Sequence, residues 1–171
     1  MLAPRPDRGR TLDRVHADEQ AGVITRRQAA AGGLTEAQIR ARLRSGRWQR
    51  ASAGVYYTFS GEPPRAAVLW AALLSAGPGA VLSHQTAAEL IGLTDRPEPP
   101  IHVSVPSQRH VKPVAGVWLH RRHRTPVATP AREPARTGAE DTVVDLTQAA
   151  KDPDEAVSWV ARACGRRSRC S

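Results

Sequence analysis

The stretch Thr25-Arg-Arg-Gln-Ala-Ala-Ala-Gly-Gly-Leu-Thr-Glu-Ala-Gln38 contains one device twice. Thr25 to Gln28 and Thr35 to Gln38 are both capping boxes of the T-x-x-Q form. In such a box the threonine hydroxyl and the glutamine amide each close an orphan backbone donor at a helix start. Gly32-Gly33 stops the first helix after about two turns, because glycine enters the helix-ending backbone conformation at little cost. Leu34 and Ile39 flank the second box at the spacing of a hydrophobic staple, which fixes the angle at which the chain joins the helix. Two short capped helices joined by a glycine-containing turn outline a helix-turn-helix.

Moving toward the carboxyl terminus, the second helix ends near Ser45-Gly46. Arg47-Trp-Gln-Arg-Ala-Ser-Ala-Gly-Val-Tyr-Tyr-Thr58 then reads as a β-hairpin, with Gly54 in or beside the turn and a β-branched, aromatic second half. A helix pair followed directly by a hairpin is a winged helix. Toward the amino terminus a further helix fits residues 11–21, and residues 1–10 form a Pro- and Arg-rich tail.

Ser60-Gly-Glu-Pro-Pro64 marks a boundary. Beyond it, residues 65–76 form an apolar helix stopped by Gly77-Pro-Gly79. Ser83 caps another helix, which carries Ala87, Ala88, Leu90 and Ile91 and ends at Gly92. Ile101-His-Val-Ser-Val105 alternates as a half-buried strand does, and residues 114–120 supply its neighbour. Residues 121–138 read as loops, followed by helices over 140–150 and 153–164. The second of these starts behind the cap Asp152-Pro-Asp-Glu155. The expected fold class is α+β. A winged helix-turn-helix covers residues 11–60, and a small mixed α/β region with a short sheet and C-terminal helices covers 61–165. Residues 166–171 are expected to be a tail, and the abrupt end reads as a truncation.

The formal charge of +9 and the pI of about 11.1 favour an anionic partner. Lys112 and Lys151 are the only lysines among 25 basic residues, which reflects GC-rich coding. That bias explains arginine over lysine, but not the excess of bases over acids. Between residues 1 and 58, 11 arginines face 5 acids, a net of +6. On a helical wheel of residues 35–45, Ile39 and Leu43 share the buried stripe and Ala37 and Ala41 centre the opposite face. Two alanines there let a helix approach a groove floor closely, and Ala41 offers a methyl to thymine. Arg40 and Arg44 on one flank can reach guanine edges or phosphates, and Gln38 can read adenine. Arg47 and Arg50 on the wing, with Arg26 and Arg27 at the preceding helix start, are placed for phosphates.

Several phrases recur together in one known family: Val23-Ile-Thr-Arg-Arg-Gln-Ala29, Ser45-Gly-Arg-Trp-Gln-Arg50, Gly54-Val-Tyr56, Gly77-Pro-Gly-Ala-Val-Leu-Ser-His84 and Ile101-His-Val-Ser-Val-Pro106. In this order the chain resembles the AbiEi antitoxins of type IV toxin–antitoxin systems, in their actinobacterial form. The resemblance implies an amino-terminal winged helix that represses its own operon by binding inverted repeats. It also implies a following domain that antagonises a nucleotidyltransferase-like toxin. It carries Arg40, Arg44, Arg47 and Arg50 over as DNA contacts and supplies no toxin-contacting residue. Many longer relatives continue into an endonuclease-like domain for which this chain has no room. An N-terminal remnant of such a protein, or a protein-interaction module, is the alternative.

Other chemistry finds little support in local spacing. His120 and His123 would point to opposite faces of a strand, without a nearby Cys or carboxylate in sequence to complete a metal site. Ser83-His84 is an adjacency rather than a dyad, with Ser83 read as a cap. Asp141 is explained by helix-start electrostatics. Cys164 and Cys170 form no framework, and no apolar run approaches the roughly 20 residues of a bilayer span. The expectation is a cytoplasmic, non-enzymatic, double-stranded-DNA-binding repressor without cofactor, metal or membrane partner.

Overall fold

The computed structural model describes residues 17–123 and 134–167, which divide into two compact units after Ser75. The chain is mixed α+β. Of the expected helix over residues 11–21, only 17–21 fall among the described residues, and 17–19 are helical. Residues 1–10, 168–171 of the expected tail at 166–171, and 124–133 of the expected loops at 121–138 lie outside the described residues, whereas Arg166 and Arg167 end a helix and Arg121 and Arg122 end a strand.

In the first unit, strand β1 (Val23–Thr25) leads into helix α1 (Arg26–Ala31) and helix α2 (Glu36–Arg44). Strands β2 (Gln49–Ser52) and β3 (Val55–Tyr57) follow, then helix α3 (Arg65–Ala76). Both capping boxes form. Thr25 Oγ1 accepts from Gln28 N while Gln28 Oε1 accepts from Thr25 N, and Thr35 and Gln38 repeat the exchange. Replacing such a cap residue with alanine typically costs about 1 kcal/mol. Gly32 caps α1, and Gly33 at φ +87° turns the chain toward α2. Leu34 and Ile39 join one cluster with Ile24, Ala29, Trp48 and Tyr56, so the staple and the hairpin share a core.

Strand β1 was not expected. The sheet runs β1-β3-β2, antiparallel throughout, with Val23 opposite Tyr57 and Thr25 opposite Val55. The expected boundary at residue 60 also moves. Ala67 and Ala71 present a narrow face of α3 that packs on Val23, Val55 and Tyr57, so this helix completes the first unit instead of opening the second. A Pro-Pro pair marked a turn, and burial behind the sheet decided which unit the next helix joined.

Ahead of β1 the chain reverses through Ala21 (φ +51°) and Gly22 (φ +80°). A Cβ on Gly22 would stand 2.7 Å from the Phe59 ring, and the Gly22 carbonyl accepts from Thr58 N. Gly22→Ala is therefore expected to lose about 1–3 kcal/mol through positive-φ strain, before any displacement of Phe59. Urea unfolding of the variant beside the parent checks this.

In the second unit, strand β4 (Val81–Leu82), helix α4 (His84–Leu90), strands β5 (Ile101–Pro106) and β6 (Val117–Arg122), and helices α5 (Ala139–Ala149) and α6 (Pro153–Arg167) follow in order. The sheet runs β4-β5-β6, with β4 antiparallel and β6 parallel to β5. Leu82 also bridges Arg136, which leads the chain back along β4 before α5. Ala88, Leu93 and Leu146 form one apolar cluster of this unit, with Ile91, Val143, Trp159 and Ala163 packed around them, and Leu82, Val103 and Val105 are buried as well. Glu155 N donates to Asp152 Oδ1 and Lys151 N to Glu155 Oε2, which supplies the cap expected at the start of α6. Among the described residues no helix is long and apolar enough to cross a membrane.

Candidate functional site

Two surfaces invite chemistry, one in each unit. In the first, α2 is held through buried Ile39 and half-buried Leu43 against Trp48 and Tyr56. Its outer side carries exposed Arg40 and Arg44 beside exposed Ala37 and half-buried Ala41. Arg42 is drawn aside, its guanidinium 5.3 Å from the centre of the Trp48 ring. On the hairpin, exposed Arg50 lies 5.7 Å from the Tyr56 ring centre. Exposed Arg47 donates from Nε to Ser45 Oγ at 3.2 Å.

The remaining sequence candidates divide. Arg27 is exposed at the start of α1. Arg26 is exposed too but pairs with Glu36, a hydrogen bond that raises its pKa and offsets its charge. Gln38 spends its amide oxygen on the cap, accepting from Thr35 N at 2.9 Å. Arg40, Ala41, Arg44, Arg47 and Arg50 thus sit on one packed body of helix and hairpin.

The second surface is internal. In the β5–β6 register His102 pairs with Trp118 and Ser104 with His120. Alternation therefore puts His102, Ser104, Trp118, His120 and Arg122 on one face of the sheet. An apolar covering would be usual over such a face. Instead it meets Ser83, His84, Thr86 and Asp145, all buried. Buried polar groups on this scale cost stability unless they are paired.

Most are paired. His102 Nδ1 and His120 Nε2 lie 2.9 Å apart, and the His84 ring stacks on His120 with centroids 3.7 Å apart. Ser104 Oγ donates to Ser83 Oγ at 2.9 Å and accepts from Arg122 Nε at 3.1 Å. Arg122 also pairs with Asp145. The other Asp145 oxygen, Oδ2, is buried without a hydrogen bond and lies 3.7 Å from His84 Nδ1. His84 itself takes φ +50°, a left-handed conformation that is uncommon outside glycine and that gathers at functional sites.

Burial, reinforced by the neighbouring rings and by Arg122, lowers His84 to about 3. Burial, then His102 and Arg122, lowers His120 to about 4. Burial lowers His102 as well. At neutral pH the three rings are uncharged and each keeps a lone pair.

Ser83 occupies the N-cap position of α4 without capping it through its side chain; its hydroxyl lies 3.1 Å from His84 Nδ1 instead. This corrects the expectation that Ser83 acts as a cap. It does not make a Ser-His-Asp relay, since Ser83 and Asp145 both face Nδ1, whereas a relay needs one partner on each ring nitrogen. His123 stands apart from His120, its Nδ1 3.4 Å from Ser107 Oγ. The ring partners that His120 lacks along the chain come instead from His84 on α4 and His102 on β5. Three histidines on three elements leave no spacing signal, although His102 and His120 both sit inward on alternating strands.

No family model matches the chain, and no curated protein matches it. Among solved structures, the chain is similar to that of the RV2827C protein from Mycobacterium tuberculosis, at 17% identity over 95% of this chain and 76% of that one, with a TM-score of 0.48.

Proposed function

We propose that the first unit is a winged helix-turn-helix that binds double-stranded DNA without altering it. In this reading the protein is a cytoplasmic, AbiEi-type antitoxin that represses its own operon at an inverted repeat. The observation that carries the reading is the outer side of α2, where Arg40 and Arg44 stand exposed beside Ala37 and Ala41 on a helix anchored to the hairpin. Small residues at the centre admit the helix to the major groove, and the arginines reach base edges beside it. Arg47, Arg50 and Arg27 hold phosphates and set the register. The second unit antagonises a nucleotidyltransferase-like toxin, a role that rests on the resemblance of the phrases at residues 77–84 and 101–106.

A mobility-shift assay with DNA from immediately upstream of the coding sequence tests the first role. Retention of that fragment over random DNA at about 100 mM salt is the expected result, because nonspecific phosphate binding falls steeply with salt. Equal binding of both DNAs, or none, would overturn operator recognition.

A further inference from the structure

We propose that His84, His102 and His120 together bind one divalent transition-metal ion, with zinc(II) the best fit. The site lies in the second unit and does not depend on the DNA-binding reading. One ring nitrogen from each histidine lies within 4.8 Å of the other two. An all-imidazole donor set suits zinc, copper and nickel, and three protein ligands leave a position for water or an anion.

The geometry is close to what ligation needs. Tetrahedral zinc with Zn–N bonds of about 2.0–2.1 Å holds its nitrogens about 3.3 Å apart. His102 Nδ1 and His120 Nε2, at 2.9 Å, share a single proton and need to part by only a few tenths of an ångström to admit the ion. His84 has to tilt out of its stack on His120. Its Nδ1 already faces Ser83 Oγ and Asp145 Oδ2, which leaves Nε2 as the ligating nitrogen.

Ligation also explains the orphaned oxygen. A metal-bound histidine usually donates its second N–H to a carboxylate, which fixes the tautomer and strengthens the ligand. Asp145 Oδ2, buried and without a hydrogen bond beside His84 Nδ1, is placed for that duty. Arg122 opposes a cation here, but its charge is offset by Asp145.

The test titrates the full chain, with Cys164→Ser and Cys170→Ser to remove thiolates, with Co²⁺ as a visible probe and Zn²⁺ as competitor. One equivalent of Co²⁺ should develop the d–d bands of tetrahedral coordination, and Zn²⁺ should erase them. Asp145→Asn should weaken binding roughly 10- to 100-fold, the usual loss for an outer-shell partner. His102→Gln and His120→Gln should each weaken it further, and His123→Gln should change nothing. Absence of the bands in the folded parent, or their survival in both glutamine variants, would overturn the site. Should those variants fail to fold by circular dichroism, proton NMR of the Co²⁺-loaded parent decides. Three paramagnetically shifted ring N–H signals are expected, and fewer would overturn the assignment.

Discussion

Alanine at both Arg40 and Arg44 is expected to abolish operator discrimination while sparing much of the nonspecific affinity. Both side chains are exposed on the outer side of α2, where guanidinium groups meet base edges if that helix occupies the major groove. A bidentate contact to a base contributes about 1–3 kcal/mol of discrimination, or roughly 5- to 150-fold per arginine. Nonspecific affinity, which depends on counterion release, should fall only by the share of two charges among many. Competition binding with operator and random duplexes across a salt series separates the two quantities. Arg26→Ala serves as the contrast, because Arg26 already spends its charge on Glu36. If Arg26→Ala lost discrimination and the α2 pair kept it, α1 rather than α2 would be the reading helix.

Asp145→Ala should be the most destabilising single change in the second unit. The carboxylate is 2% exposed and pairs with Arg122, so its removal leaves a partly buried guanidinium without its counter-charge. Breaking a buried pair from one side costs about 3–5 kcal/mol. Arg122 is 27% exposed along its side chain, and water reaching it places the expected loss near the lower figure. Replacing both members by apolar residues, Arg122→Met with Asp145→Leu, should recover most of the loss, since the pair is costly to bury in the first place. Urea unfolding in the presence of a chelator compares the three proteins at a fixed metal state. A double variant no more stable than Asp145→Ala would show that the aspartate stabilises through His84 or the α5 packing instead of through Arg122.

What could be read from the sequence was local chemistry. Thr25, Gln28, Thr35 and Gln38 announced two helix starts because a capping box is complete within four residues. The alternation of residues 101–105 announced the strand β5 but not its burial on both faces, which corrects the half-buried reading, and the β-branched, aromatic run Val55-Tyr-Tyr57 announced β3. What escaped depended on distant partners. Val23-Ile-Thr25 is too short to show a period and is a strand only because β3 pairs with it. Ala67 and Ala71 gave no sign of which unit they would pack against. The residues proposed to face DNA were legible together because one helix and one hairpin carry them. His84, His102, His120 and Asp145 come from four elements, and each viewed alone is an ordinary polar residue.

Thr25 is both the last residue of β1 and the cap of α1, and the next amide, Arg26 N–H, donates to the Gly54 carbonyl at the hairpin turn at 2.7 Å. With β1 paired along β3, the hairpin cannot swing without dragging the helix pair, and the whole behaves as a rigid gauge. If the first unit binds a duplex as proposed, a gauge of this kind would measure pitch as well as base sequence. One base pair inserted between the groove contacted by α2 and the phosphates under the hairpin would turn those phosphates by about 35° around the duplex axis. A tethered arm would follow them; this hairpin would miss.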